Sequence, residues 1–209
     1  MRGQNDAVGA GVVLVVAFVV GAIPFSNLLA QVTKGVDLRD TPYGTVSGTS
    51  IYRVAGFWPL AISGVLDMAK GALGPLLAGD RWFLAAMAGG FAVAGHNWSP
   101  FLGGKGGRGV APALGALAVT AWPGVPLLIG SLVLGKAARQ TGLGGFFGEI
   151  ALVPVLAVTN GGRGAVAGCA VAVPMLIKRM FANARPTEPG AGPYVRRLLF
   201  DRDPHTPTP

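Results

Sequence analysis

Two short stretches carry residue types able to hold an anion. The first is Gly44-Thr45-Val46-Ser47-Gly48-Thr49-Ser50, followed by Arg53. Hydroxyls and backbone N–H groups ahead of a helix start make an anion site, and Arg53 adds a forked donor suited to phosphate. The same residues also serve as a polar turn, a helix cap and a basic anchor. The second stretch is Gly103-Gly104-Lys105-Gly106-Gly107-Arg108-Gly109, five glycines around two cations. Without Cβ atoms, the N–H groups of Gly106 and Gly107 can approach phosphate oxygens closely. A flexible basic hairpin at a lipid surface is the alternative, and the glycine density favours the phosphate site. The stretch matches G-x-G-x-x-G, but no strand precedes it, and no G-x-x-x-x-G-K-[ST] occurs. His96 sits about two helical turns before this loop. A neutral imidazole there can act as general base or orient a hydroxyl, or simply bond a neighbouring helix.

Other polar residues stand inside apolar sequence. Asp67 and Lys70 lie three apart on one helix face and are expected to form a structural ion pair. Glu149 is expected near a helix start, as a partner for its dipole. With one cysteine, Cys169, and two histidines, the chain has no cluster with metal-ligand spacing. Cys169 also excludes a disulfide framework.

These residues must be positioned by a very apolar chain. Of 209 residues, 51% are hydrophobic and 12% charged, with 34 Gly, 16 Pro and net charge +8; mean hydropathy is +0.54. That excludes a disordered chain, a collagen and a soluble nucleic-acid binder. What remains is an all-α polytopic membrane protein with basic loops. Apolar segments run from Val8 to Ala30, Val54 to Ala78 and Trp82 to Leu102. A further stretch from Val110 to Leu134 is interrupted by Trp122-Pro123-Gly124-Val125-Pro126. Two prolines that close break a helix, so it divides into Val110–Ala121 and Val125–Gly135. Phe146–Val158 and Ala165–Ile177 follow.

This predicts about seven transmembrane helices, several of them short. With the N-terminus outside and the C-terminus cytoplasmic, Arg2, Arg81 and Arg163 fall outside and Lys70 within a helix; all the other lysines and arginines before residue 203 fall inside. Residues 1–183 are read as one transmembrane domain. Residues 184–209 are read as a flexible, Pro-rich cytoplasmic tail, with a short amphipathic piece around Tyr194–Phe200 that touches anionic lipid.

Taken together, the motifs resemble those of the bacterial acyl-phosphate-dependent glycerol-3-phosphate acyltransferases, over Gly21 to about Asn183. Gly21-Ala22-Ile23-Pro24-Phe25 is similar to that family's G-S-I-P-F, and Leu66-Asp67-Met68-Ala69-Lys70-Gly71 to its L-D-x-x-K-G. Gly95-His96, with Gly106-Gly107-Arg108-Gly109-Val110 after it, resembles G-H…G-G-K-G-V. Gly44, Thr49 and Arg53 match G-N-x-G-A-T-N-x-x-R, and Asn183 matches the Asn of H-x-x-N-I-x-R-L. The chain departs from the pattern at Thr45, Ser47, Ser50, Arg108, Gly142, Gly145 and Met180.

The resemblance implies transfer of a fatty acyl group from acyl phosphate to glycerol 3-phosphate, giving 1-acyl-glycerol 3-phosphate. It implies a multi-pass protein of the bacterial inner (plasma) membrane. It also implies no cofactor, no metal, no nucleic acid and no obligate protein partner, only the two substrates and the lipid bilayer. His96, Arg53, Arg108 and Lys105 are the expected catalytic residues. Gly44, Thr45, Ser47, Thr49, Ser50, Gly106, Gly107 and Asn183 are the expected substrate-binding ones. The departures leave room for a catalytically degenerate or substrate-shifted member. Broken, short helices also suit a small-anion transporter, although the inverted repeat that class predicts is not visible.

Overall fold

The computed structural model describes residues 2–41, 46–183, 186 and 188–201, those before Asp6 by backbone alone. The described residues are helical throughout, without strands: α1 (Arg2–Gly21), α2 (Phe25–Lys34), α3 (Gly48–Ala55), α4 (Phe57–Ala78), α5 (Trp82–Asn97), α6 (Val110–Thr120), α7 (Gly124–Ala137), α8 (Thr141–Phe181) and α9 (Gly192–Phe200). Three stretches are long and apolar enough to cross a membrane, Asp6–Lys34, Phe57–Ala78 and Thr141–Phe181; α6 and α7 are shorter apolar helices.

Prolines and glycines cut the apolar runs, and the cuts shape the molecule. The expected single helix from Val8 to Ala30 is two helices, because Pro24 has no N–H to continue the ladder and disfavours helical geometry at Ile23. The carbonyls released there find partners elsewhere. Ser99 Oγ donates to Ala22 O at 2.6 Å, and Lys70 Nζ donates to Ile23 O at 2.7 Å. The expected helix to Leu102 stops at Asn97, ahead of a short 3-10 turn, Pro100–Leu102. The break between α6 and α7 falls at residues 121–123, as the paired prolines predict. The segments expected at Phe146–Val158 and Ala165–Ile177 are longer helices, meeting at Gly161 (φ 65°) inside α8. Both extend beyond their apolar cores through glycine-rich ends, residues 141–145 and 159–164; at 141–145, packing against neighbouring helices outweighs the low helix propensity of glycine.

α5 is the central helix, packed against α1, α4, α6 and α8. Small residues allow the close approach that drives helix association in lipid. A Cβ at Gly21 or Gly95 would collide with the backbone across the α1–α5 contact, and one at Gly71 or Gly115 across the α4–α6 contact. The larger core cluster joins Val93, Leu117, Leu128, Leu152 and Leu156 of α5 to α8. Large apolar side chains such as Val12, Trp58, Val65, Val133 and Val158 point outward, as on a lipid-facing surface.

Candidate functional site

Three helix starts open onto one cleft of about 1030 Å³. Ser47, Gly48, Thr49 and Ser50 line it from α3, Gly109, Val110 and Ala111 from α6, and Thr141 and Gly142 from α8. Helix starts present unpaired N–H groups and the positive end of the helix dipole, so their convergence favours an anion. Ser47 caps α3, its Oγ accepting from Ser50 N at 3.3 Å and lying 3.0 Å from Ser50 Oγ. Gly44 and Thr45 lie outside the described residues.

Four arginines face the cleft: Arg53, Arg108, Arg139 and Arg179. Arg108 donates to Lys178 O at 3.0 Å and pairs with Asp201 at 2.7 Å. Arg179 is buried and bound on two sides, to both Glu149 oxygens at 2.6 and 3.2 Å and to Gly142 O at 2.9 Å. Glu149 is therefore not a cap. It sits in the third turn of α8 and ties that helix's two halves together beside the cleft. From the sequence, Arg139 and Arg179 are expected only among the cations that orient the chain; their place in the cleft follows from how α7, α8 and α9 pack. Among the cleft's side chains, Leu60, Leu114 and Leu132 supply an apolar wall.

His96 faces both this cleft and a small cavity beneath it. No acid stands near His96 in the sequence on its own helix, yet a carboxylate arrives from another helix: Asp67 Oδ1 is 3.8 Å from His96 Nδ1. Asp67 also forms the expected pair with Lys70, at 2.7 Å and fully buried. The i,i+3 spacing made that pair legible; the approach to His96 needed the packing of α4 on α5.

The glycine-rich loop folds back on the end of α5. Gly107 N–H donates to His96 O at 3.3 Å, and Gly106 N–H to Asn183 Oδ1 at 3.2 Å. Asn183 Nδ2 returns a bond to Gly106 O at 3.0 Å. Those two N–H groups hold the loop instead of reaching into the cleft. A Cβ at Gly107 would strike the His96 ring, and one at Gly106 the α5 backbone. The glycines are thus required by close packing. Gly107 still lines the cleft, Gly106 lines only the small cavity, and Asn183 lines neither. Lys105 is exposed on the outer side of the loop and does not reach the cleft, which separates it from the other expected catalytic residues.

The chain's end completes the wall. The short amphipathic piece expected around Tyr194–Phe200 is α9, Gly192–Phe200, but it packs on α8 with Pro193 and Arg197 buried, where contact with lipid was expected. Phe200 and Asp201 line the cleft.

Fold and cleft together define an all-helical membrane protein built around an arginine-rich, half-apolar binding site. A family profile described as glycerol-3-phosphate acyltransferase matches residues 11–185. A glycerol-3-phosphate acyltransferase of Synechococcus sp. (strain CC9902) is 35% identical over 187 residues, 87% of this chain and 93% of the relative. One from Jannaschia sp. (strain CCS1) is 31% identical over 197 residues, 92% and 96% of the two chains. The crystal structure of PlsY (YgiH), an integral membrane glycerol 3-phosphate acyltransferase in its glycerol 3-phosphate form, superposes with a TM-score of 0.73 at 25% identity, covering 81% of this chain and 88% of that one. The chain belongs to the glycerol-3-phosphate acyltransferase family, membrane acyltransferases of phospholipid synthesis.

Proposed function

We propose that the cleft binds glycerol 3-phosphate and a fatty acyl phosphate side by side and joins them as 1-acyl-glycerol 3-phosphate. The observation that carries this reading is the convergence of three helix starts and four arginines on a cleft with a leucine-lined wall. Two phosphorylated substrates need cationic and N–H donors to lie close together, and the acyl chain needs an apolar wall. In the reaction, the acceptor's hydroxyl oxygen attacks the acyl carbonyl carbon. The bond from that carbon to the bridging phosphate oxygen breaks, and phosphate leaves with the electron pair. The hydroxyl proton passes to His96 or to a phosphate oxygen. Arg53 and Arg108 hold the charge that collects on the leaving phosphate, which needs stabilisation more than protonation. Ser47, Thr49 and Ser50 present hydroxyls to the phosphates, and the expectation that Gly44 and Thr45 bind substrate with them rests on the sequence motif alone. Gly107 shapes the floor beside His96, while Asn183, through Gly106, keeps the loop in place.

The topology belongs to the same proposal: seven crossings (the α1–α2 stretch, α4, α5, α6, α7 and the two halves of α8), N-terminus outside, tail cytoplasmic, in a bacterial plasma membrane. Two features support it. The basic segments assigned to the inside meet at the cleft, and Arg163, near one outside turn, stacks on Trp82 at the start of α5, beside another, 5.4 Å from the ring centroid. Residues 1–183 then form one membrane domain and 184–209 a cytoplasmic appendage to it.

Purified protein given acyl phosphate and labelled glycerol 3-phosphate is expected to form lysophosphatidate and release one phosphate per acyl group. A folded preparation that takes up anions in proteoliposomes without forming lysophosphatidate would overturn the proposal.

A further inference from the structure

Asp201 stands at the carboxyl end of α9, beyond the span matched by the family profile. Its carboxylate lies 2.7 Å from Arg108 Nη2, inside the cleft. Its reach depends on how α9 is seated. Arg197, buried, donates to Phe181 O at 3.4 Å, and the Phe200 backbone fills the space that a Cβ at position 142 would need. Asp201 itself is left-handed (φ 52°), its N–H closing the helix on Arg197 O at 2.8 Å. The helix is thus anchored upstream, and rotation of the Asp201 side chain releases Arg108 Nη2 while Nη1 keeps its bond to Lys178 O.

Arg108 therefore meets any incoming anion with a carboxylate already in place. We propose that Asp201 is an internal competitor that every anion must displace from Arg108, setting a threshold that a phosphate dianion clears and a weakly bound monoanion does not; the proposal rests on the reading that Arg108 receives a substrate phosphate. A tethered carboxylate acts at an effective concentration in the millimolar range or above. A free carboxylate carries the same single charge and gains nothing by exchange. A phosphate monoester carries close to two charges near neutral pH, and its attraction to the guanidinium at equal distance is nearly doubled. Asp201 thus weakens every anion by the same factor, leaving singly charged headgroups too weakly bound to occupy the arginine while the doubly charged substrate still binds at some cost in affinity.

The test uses the full-length protein in detergent, with butyrate as the carboxylate probe and glycerol 3-phosphate and acyl phosphate each varied in turn. Asp201→Asn is expected to lower the KM for glycerol 3-phosphate or for acyl phosphate about two- to fivefold, the range set by a partly exposed charged pair. It is expected to strengthen butyrate inhibition by a similar factor, and Asp201→Glu to restore native values of both. Arg108→Ala separates the two layers of the argument. If Arg108→Ala turns over with native KM values, the phosphate reading of Arg108 fails. If it loses turnover while Asp201→Asn leaves both KM values and butyrate inhibition unchanged, or raises a KM, the role of Asp201 alone is overturned.

Discussion

Asp67 of α4 lies 3.8 Å from His96 Nδ1 of α5, and the same carboxylate oxygen holds Lys70 Nζ at 2.7 Å. Lys70 in turn bonds Ile23 O at the break between α1 and α2. One buried acid thus links the residue nearest the expected chemistry to the first proline break in the chain.

Removing that acid leaves a buried ammonium without its counter-charge. Asp67→Ala is expected to destabilise the protein by about 3–5 kcal/mol, the usual consequence of breaking a buried pair. Thermal unfolding in detergent measures it. A melting temperature equal to that of the native chain would show that the pair carries no structural weight.

The cations of the two basic loops should separate sharply by turnover. Arg53→Ala and Arg108→Ala each remove a forked donor that faces the cleft, and each should reduce kcat/KM more than tenfold, since one charge-assisted contact is worth at least ~1.5 kcal/mol. Lys105→Ala, on the exposed outer side of the loop, should stay within about twofold of native. Equal losses from all three would place Lys105 in the cleft after all.

Glu149 and Arg179 form a buried pair at 2.6 Å that clamps the two halves of α8. Glu149→Leu or Arg179→Met alone strands the other charge and should cost about 3–5 kcal/mol. The double variant removes both charges and should unfold at a higher temperature than either single one. A double variant with additive losses contradicts this. Activity is not the readout here, because Arg179 also faces the cleft.

Gly142 sits under the Phe200 backbone, with no room for a side chain. Gly142→Ser is expected to lift α9 from α8, at a cost of about 1–3 kcal/mol for overpacking. Limited trypsin digestion reads this directly, as faster cleavage at Arg196. Unchanged digestion would mean that α8 shifts and α9 stays.

Local chemistry was legible where it is written in neighbouring residues. The pair of prolines at 123 and 126 announces the break between α6 and α7. The i,i+3 spacing announces Asp67–Lys70, and the clustering of hydroxyls, glycines and arginines announces two anion-binding loops. The break at Pro24 follows the same rule, but a single proline in an uncharged stretch is a weaker signal than a pair. Glu149 was misplaced because its helix begins earlier than its apolar core, at Thr141.

The sequence by itself determined that the chain is helical and membrane-embedded, since apolar runs of this length leave the backbone no other way to satisfy its hydrogen bonds in lipid. It also determined which loops carry the cations. Tertiary structure decided which of those cations act together. Arg108 meets Asp201, His96 meets Asp67, and Arg179 meets Glu149 across separations that no periodicity encodes. Those meetings depend on how closely small residues let the helices approach. Gly107 admits the His96 ring and Gly142 admits the end of α9. Each contact is a property of two surfaces fitting, and a fit between distant segments exists only once both are folded.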